Sequence, residues 1–236
     1  MEEEMLKEPP VVKKYAGLMQ NIMSHLIGGM VEAYERKHPG EKPTYGGEGN
    51  DLDLSVLELG DIINVHGVNS PELAGVYGPG TEIVERLQGY LEGGHWWHTA
   101  VYVGDGKIVE AWLPKVRKVD YEILHTSTDV GVYRVRTTDE IKRKAVKFCE
   151  SKVGLTYNYT WLSILPLFYP SVKQQIEGDV YYCSGLAWAA YKASGGPDIN
   201  AYPGFHNKPP ITGYLIAPDN ISQSDNVELI ASAGKR

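Results

Sequence analysis

His98-Thr99-Ala100-Val101-Tyr102-Val103-Gly104-Asp105-Gly106-Lys107-Ile108-Val109-Glu110-Ala111 is the stretch on which the reading of this chain turns. Two β-rich runs, Thr99 to Val103 and Lys107 to Trp112, flank an Asp-Gly pair, a strong hairpin signal. His98 opens the first strand beside a loop. An imidazole there can reach a cleft, and its pKa of about 6.5 suits general-base work. His95, on the same loop, is the rival. Glu110 lies in the apolar run Ile108-Val109-Glu110-Ala111-Trp112, where burying an unpaired charge is costly. It either faces solvent or accepts a hydrogen bond from an imidazole and fixes its orientation.

The hairpin register decides between these. With a two-residue loop, Val101 opposes Glu110, and His98 and Glu110 point to opposite faces. With a three-residue loop, Gly104-Asp105-Gly106 with Gly106 at positive φ, Ala100 opposes Glu110. His98 and Glu110 then share a face as diagonal neighbours, roughly 7–8 Å apart at the backbone. A His98–Glu110 pair therefore requires the odd-length loop.

Cys183 is the third candidate. It follows Tyr181-Tyr182 and precedes a helix from about Ser184 to Ala193, closed by Gly195-Gly196-Pro197. A free thiol ionises at about 8.5, and a helix N-terminus lowers that. Ser184 and Gly185 are small. They keep the helix mouth open and its N–H groups free to hold an oxyanion. The plainer reading is a buried apolar cysteine. Cys149, on the apolar side of the helix after Thr137-Thr138-Asp139-Glu140, takes that plainer reading. The four-residue run itself reads as a capping box.

Outward from these motifs, the chain divides into an N-terminal helical extension, 1–53, and a main domain, 54–236. The extension carries apolar residues at helical spacing: Tyr15, Leu18, Met19, Ile22, Leu26, Met30 and Tyr34. These predict one buried face. Pro39-Gly40 ends the helix, and Tyr45 to Asn50 reads as a glycine-rich loop. The main domain shows a strand at Ile62 to Val65, a loop over 67–80, a short helix around Ile83 to Tyr90, and the hairpin. Strands at 116–119 and 130–135, two helices and an extended piece at 226–231 follow. That order predicts an α+β fold with a mainly antiparallel sheet and helices packed on it.

Composition excludes several classes. The 236 residues are 42% hydrophobic and 22% charged, as a globular protein requires. A net charge of −7 argues against nucleic acid as a partner. No apolar run is long enough to span a bilayer. Two cysteines rule out a disulfide scaffold and a cysteine zinc cluster. His25, His38, His66, His125 and His206 show no metal-ligand spacing, and no phosphate loop occurs, so no cofactor or metal is expected. The acidic start, Met1-Glu2-Glu3-Glu4-Met5, is not that of a secretory signal. The thiol chemistry fits a reducing cytosol, although the compartment and the oligomeric state stay open.

The run from His98 to Ala111 resembles the histidine motif of the NlpC-type, papain-like cysteine peptidases. In that family a third polar residue follows twelve positions on, as Glu110 follows His98. Tyr182-Cys183-Ser184-Gly185-Leu186-Ala187-Trp188 resembles the family's nucleophile motif. Gly60-Asp61-Ile62-Ile63 looks like its Gly-Asp strand start, and Gly154-Leu155-Thr156-Tyr157 like a small aromatic motif. Here the cysteine follows the histidine, so the resemblance is to the circularly permuted branch, which includes YiiX-like, YebB-like and lecithin–retinol acyltransferase-like proteins. Glutamate as third residue favours the YiiX-like group. The resemblance spans roughly residues 54–225.

The resemblance implies a permuted papain-like antiparallel sheet or partial barrel. It also implies a thiol mechanism, with Cys183 as nucleophile, His98 as proton carrier and Glu110 as its orienting partner. Tyr157, Trp96, Trp97 and Ser184 are candidates for substrate contact. The expected activity is hydrolysis of amide or peptide bonds. Two alternatives stand beside it. One is transfer of an acyl group from a lipid or thioester, with Trp161 to Tyr169 as the acyl pocket. The other is a binding module without catalysis.

Overall fold

The two β-rich runs that flank Asp105-Gly106 become adjacent strands of one sheet. The structure, a computed structural model, describes residues 10–68, 71, 94–159, 176–201 and 216–235. β1 (Ile62–His66), β2 (His98–Gly104), β3 (Lys107–Ala111), β4 (Val116–Asp120), β5 (Asp129–Val135) and β8 (Val227–Ala233) form a six-stranded sheet ordered β4-β3-β2-β1-β5-β8. Every pairing in it is antiparallel. β6 (Thr156–Tyr157) and β7 (Val180–Tyr181) form a separate parallel pair. The helices are α1 (Pro10–Lys37), α2 (Asp139–Ser151), α3 (Cys183–Ala193) and the short α4 (Pro218–Ser222). This is the α+β architecture that the sequence predicts. The expected helix around Ile83 to Tyr90 and the aromatic run Trp161 to Tyr169 lie outside the described residues.

The hairpin reaches the register that pairs His98 with Glu110, but by another route than a three-residue loop. Gly104 faces Lys107, so the turn itself is two residues, Asp105 and Gly106. Both are left-handed, at φ 52° and 69°, as the hairpin turns that match strand twist require. Val101 faces Val109 and Tyr102 faces Ile108, which leaves Val103 as an extra, bulged residue. The bulge shifts the register by one, so Ala100, and not Val101, stands opposite Glu110.

The two faces of the sheet have different cover. Lys118 faces Val109 in the ladder and pairs with Glu150 of α2 at 2.6 Å, which puts α2 over the Val101–Val109 side. α3 packs beside α2 and over β2 and β3. The other face carries His98, Ala100, Glu110 and Arg117. The start of β1 is locked by Asp61, whose carboxylate takes two bonds from Arg134, at 2.9 and 2.8 Å, and one from the Glu58 N–H. Removing one partner of such a buried pair costs about 3–5 kcal/mol. The Tyr191 hydroxyl donates to the Gly60 carbonyl at 2.5 Å and ties α3 to the same corner.

Two local expectations are corrected. α1 buries Ile27 and Val31, with Met23 packed beside them, whereas Tyr15, Leu18, Ile22 and Leu26 are about half exposed. The helix carries two apolar stripes, and docking selects the one that also presents Gln20 and Ser24. Gln20 explains the choice: its amide donates to the Tyr157 carbonyl at 2.6 Å and accepts from the Tyr159 N–H at 2.8 Å. In α2, Thr138 is the N-cap and accepts from Ile141 N–H at 3.3 Å. Capping by Thr138 puts Ile141 at the third helical position, so Glu140 cannot complete a capping box.

Candidate active site

His98, Glu110 and Cys183 meet where the start of β2 lies against the N-terminus of α3. The ring Nε2–H of His98 donates to Glu110 Oε2 at 2.7 Å, and both side chains are buried. Cys183 shares a hydrogen bond with the same ring. Since Nε2 is committed to Glu110, Nδ1 is the ring nitrogen left for the thiol. The sulfur remains half-buried and free of any disulfide. Cys149 is fully buried, and burial pushes its thiol up to about 12.

The helix end favours an anion. Tyr182 is the N-cap, makes no side-chain cap, and the first turn holds no acidic residue. The leading N–H groups of α3 therefore have no intrahelical acceptor. That of Ser184 bonds the Cys183 sulfur. The Ser184 hydroxyl donates to the Ile216 carbonyl at 2.6 Å, and the Ile216 N–H donates to the Tyr182 hydroxyl at 3.0 Å. Both flanks of the nucleophile are thus fastened to one residue. Gly185 is required here, since a Cβ would lie 2.7 Å from the Tyr182 ring.

Glu110 has no exposed surface, and its charge is met from three sides. Arg117 Nε donates to Oε1 at 2.7 Å, and Tyr45 Oη donates to Oε2 at 2.6 Å beside His98. Burial opposes ionisation. The Arg117 charge, with the His98 and Tyr45 bonds, outweighs it and brings the carboxyl down to about 2. For His98, burial opposes the imidazolium, but bonds to Cys183 and Glu110 carry it up to about 9. For Cys183, burial opposes the thiolate, and the His98 bond and charge hold it below the usual thiol range. The arrangement favours a thiolate–imidazolium pair over a neutral one.

Aromatic rings wall in the imidazole. Trp112 meets it edge-on with centroids 4.9 Å apart, Tyr45 lies at 5.8 Å, and the Arg117 guanidinium covers Trp112 at 4.5 Å. Tyr45, Arg117 and Trp112 were not singled out by the sequence. Tyr45 sits in a glycine-rich stretch with no local signal, yet backbone bonds from Tyr45, Gly47 and Asn50 fasten that stretch to residues 125 and 126. Of the residues considered for substrate contact, Trp97 is half-buried. Tyr157 and Trp96 are buried, and Ser184 is committed to Ile216.

Against known families, residues 81–210, just over half of the chain, match the model of the permuted papain-like amidase enzymes, YaeF/YiiX. The chain belongs to this family. Membership makes it, at family level, a cysteine peptidase- or amidase-like enzyme of circularly permuted papain-like fold. Among solved structures it is similar to the crystal structure of metalloprotein YiiX from Escherichia coli O157:H7. The identity is 15%, the TM-score 0.53, and the likeness covers 75% of this chain and 98% of that one. At that identity the likeness shows the fold. No curated protein matches. No helix among the described residues of this amidase relative is long and apolar enough to cross a membrane.

Proposed function

We propose that the chain hydrolyses amide or peptide bonds through Cys183, His98 and Glu110. The observation that carries this reading is the buried His98–Glu110 bond of 2.7 Å, with the Cys183 thiol beside the same ring at a helix end that no side chain caps. Cys183 thiolate attacks the carbonyl carbon, and the carbonyl electrons move onto oxygen. The Cys183 N–H, at the helix mouth, holds that oxyanion. As the intermediate collapses, the C–N bond breaks and His98 gives its proton to the departing amine. A thioester remains. His98 then takes a proton from water, hydroxide adds to the thioester, and the acid departs with the thiolate restored. Glu110 keeps the ring turned toward sulfur throughout. Tyr45 and Arg117 keep Glu110 charged and in place. Trp97 is the best-placed of the aromatic candidates to meet substrate.

The family's amidase character supports amides over acyl esters. The experiment is a panel of peptide amides and long-chain acyl esters given to wild type and Cys183→Ala. Turnover of amides, abolished in the variant, is the expected result. Turnover of long-chain esters alone would overturn the amide reading. Binding of a panel member without turnover, unaltered by Cys183→Ala, would overturn catalysis itself.

A further inference from the structure

His66, His95 and Asp129 stand far apart in the sequence and converge at one end of the sheet. His66 closes β1, Asp129 opens β5 directly opposite it in the ladder, and His95 lies on the chain entering β2. Two neighbouring strands and the segment leading into a third thus each supply one ligand-bearing side chain. One ligand atom from each lies within 4.8 Å of the other two. The register sets this cluster apart from His98 and Glu110. Val65 faces His98, whereas its neighbour His66 faces Asp129, so the two groups project from opposite sides of the sheet.

The geometry points to a binding site for a divalent first-row metal ion such as Zn2+, held by His66, His95 and Asp129. Two imidazoles and one carboxylate are the donor set such ions take, and three protein ligands leave a fourth position for water. Tetrahedral zinc, with bonds of about 2.0–2.1 Å, sets its ligand atoms roughly 3.3–3.5 Å apart. His95 Nε2 and Asp129 Oδ2 are already 3.0 Å apart. Asp129 is pre-aimed, because its Oδ1 accepts the Lys235 N–H at 2.7 Å and leaves Oδ2 toward His95. His95 is held from behind: its own N–H and that of Trp96 donate to the Asp219 carboxylate at 2.9 and 3.0 Å.

His66 supplies the second, independent observation. Its Nδ1 is buried and has no hydrogen-bond partner among the described residues, which a satisfied interior would not leave. Its ring is stacked on His95, with centroids 4.4 Å apart and planes 21° from parallel. Stacked rings aim their in-plane lone pairs side by side, so loading requires one ring to turn until both converge. His66 can turn without giving up an Nδ1 hydrogen bond. The ion would then clamp the ends of β1, β2 and β5, and so the strand on which His98 begins.

The test uses the full chain carrying Cys183→Ala, so that the catalytic thiol cannot ligate. The protein is stripped with EDTA and titrated with Zn2+ alone by calorimetry. In parallel, Co2+ binding is followed by its visible absorption, and the melting temperature is read with and without Zn2+. One equivalent should bind and raise the melting temperature. His66→Gln and Asp129→Asn, each added to that background, should lose at least about tenfold in affinity and lose the Zn2+-dependent rise. Circular dichroism in EDTA verifies that each variant is folded. If Asp129→Asn proves unfolded, His66→Gln decides. A parent that takes up no Zn2+, or a folded His66→Gln that binds as the parent does, overturns the site.

Discussion

Tyr45 and His98 bond the same oxygen, Glu110 Oε2, at 2.6 and 2.7 Å. One partner comes from the segment before the first strand and the other from the middle of the sheet. The phenol, fully buried and held well above its usual pKa first by burial and then by Glu110, stays a donor at every working pH.

Tyr45→Phe keeps the ring and deletes that donor. Losing a buried bond to a charged group costs about 1.5–3 kcal/mol, read as a lower urea midpoint. The carboxylate also loses part of its restraint, so kcat should fall several-fold with KM little changed. Equal stability and equal kcat would show that the phenol does not position Glu110.

The thiolate–imidazolium pair has its own pH signature. Activity should rise as Cys183 deprotonates below the usual thiol range, and fall as His98 loses its proton at about 9. Near neutral pH the pair is formed. Stoichiometric iodoacetamide at about pH 6 should therefore label Cys183 and spare Cys149, whose thiol is pushed up to about 12. Mass mapping of the label reads the outcome. Equal labelling of the two sulfurs would contradict an activated thiolate.

Glu110→Gln separates charge from shape. Without the carboxylate, His98 loses a cause of its raised pKa, so the alkaline limb of the activity profile should move to lower pH. Stability carries a second sign. The folded carboxyl, at about 2, lies below its ordinary 4.5. Its contribution is therefore complete above 4.5 and lost as the pH falls toward 2. The variant should lose that part of the acid dependence of the urea midpoint and, with Arg117 left facing a neutral amide, about 3–5 kcal/mol near neutral pH. An unshifted alkaline limb would count against a Glu110–His98 coupling.

Gln20→Ala removes the clamp on residues 157 and 159. Two side-chain bonds are lost, and stability should drop by about 1–3 kcal/mol, measured by urea denaturation. Hydrogen exchange at the Tyr159 amide should accelerate. An unchanged exchange rate would show that α1 docks by its apolar contacts alone.

Much of the fold was legible because strands and hairpin turns write their signals locally. Alternation, the Asp-Gly pair and the flanking glycines are enough to lay out β1 to β5 and β8. The His98–Glu110 pairing was legible too, as a condition on register. What escaped were features that exist only after folding. Val103 looks like any strand valine until its partner strand is present. The two stripes of α1 are equivalent until Gln20 finds the backbone near Tyr157. Tyr45 has no local mark of its destination. His66, His95 and Asp129 have no ligand spacing along the chain, since the sheet and not a loop or helix gathers them.

The bulge at Val103 makes the hairpin a counting device. Side chains along a strand alternate like the two sides of a page, so the parity of residues between imidazole and acid selects the page. Were Val103 drawn into the ladder, Val101 would stand opposite Glu110 and the acid would turn away from the imidazole. The unpaired valine is the slack that holds acid and imidazole on one page, and any tip that keeps Ala100 opposite the acid would serve as well.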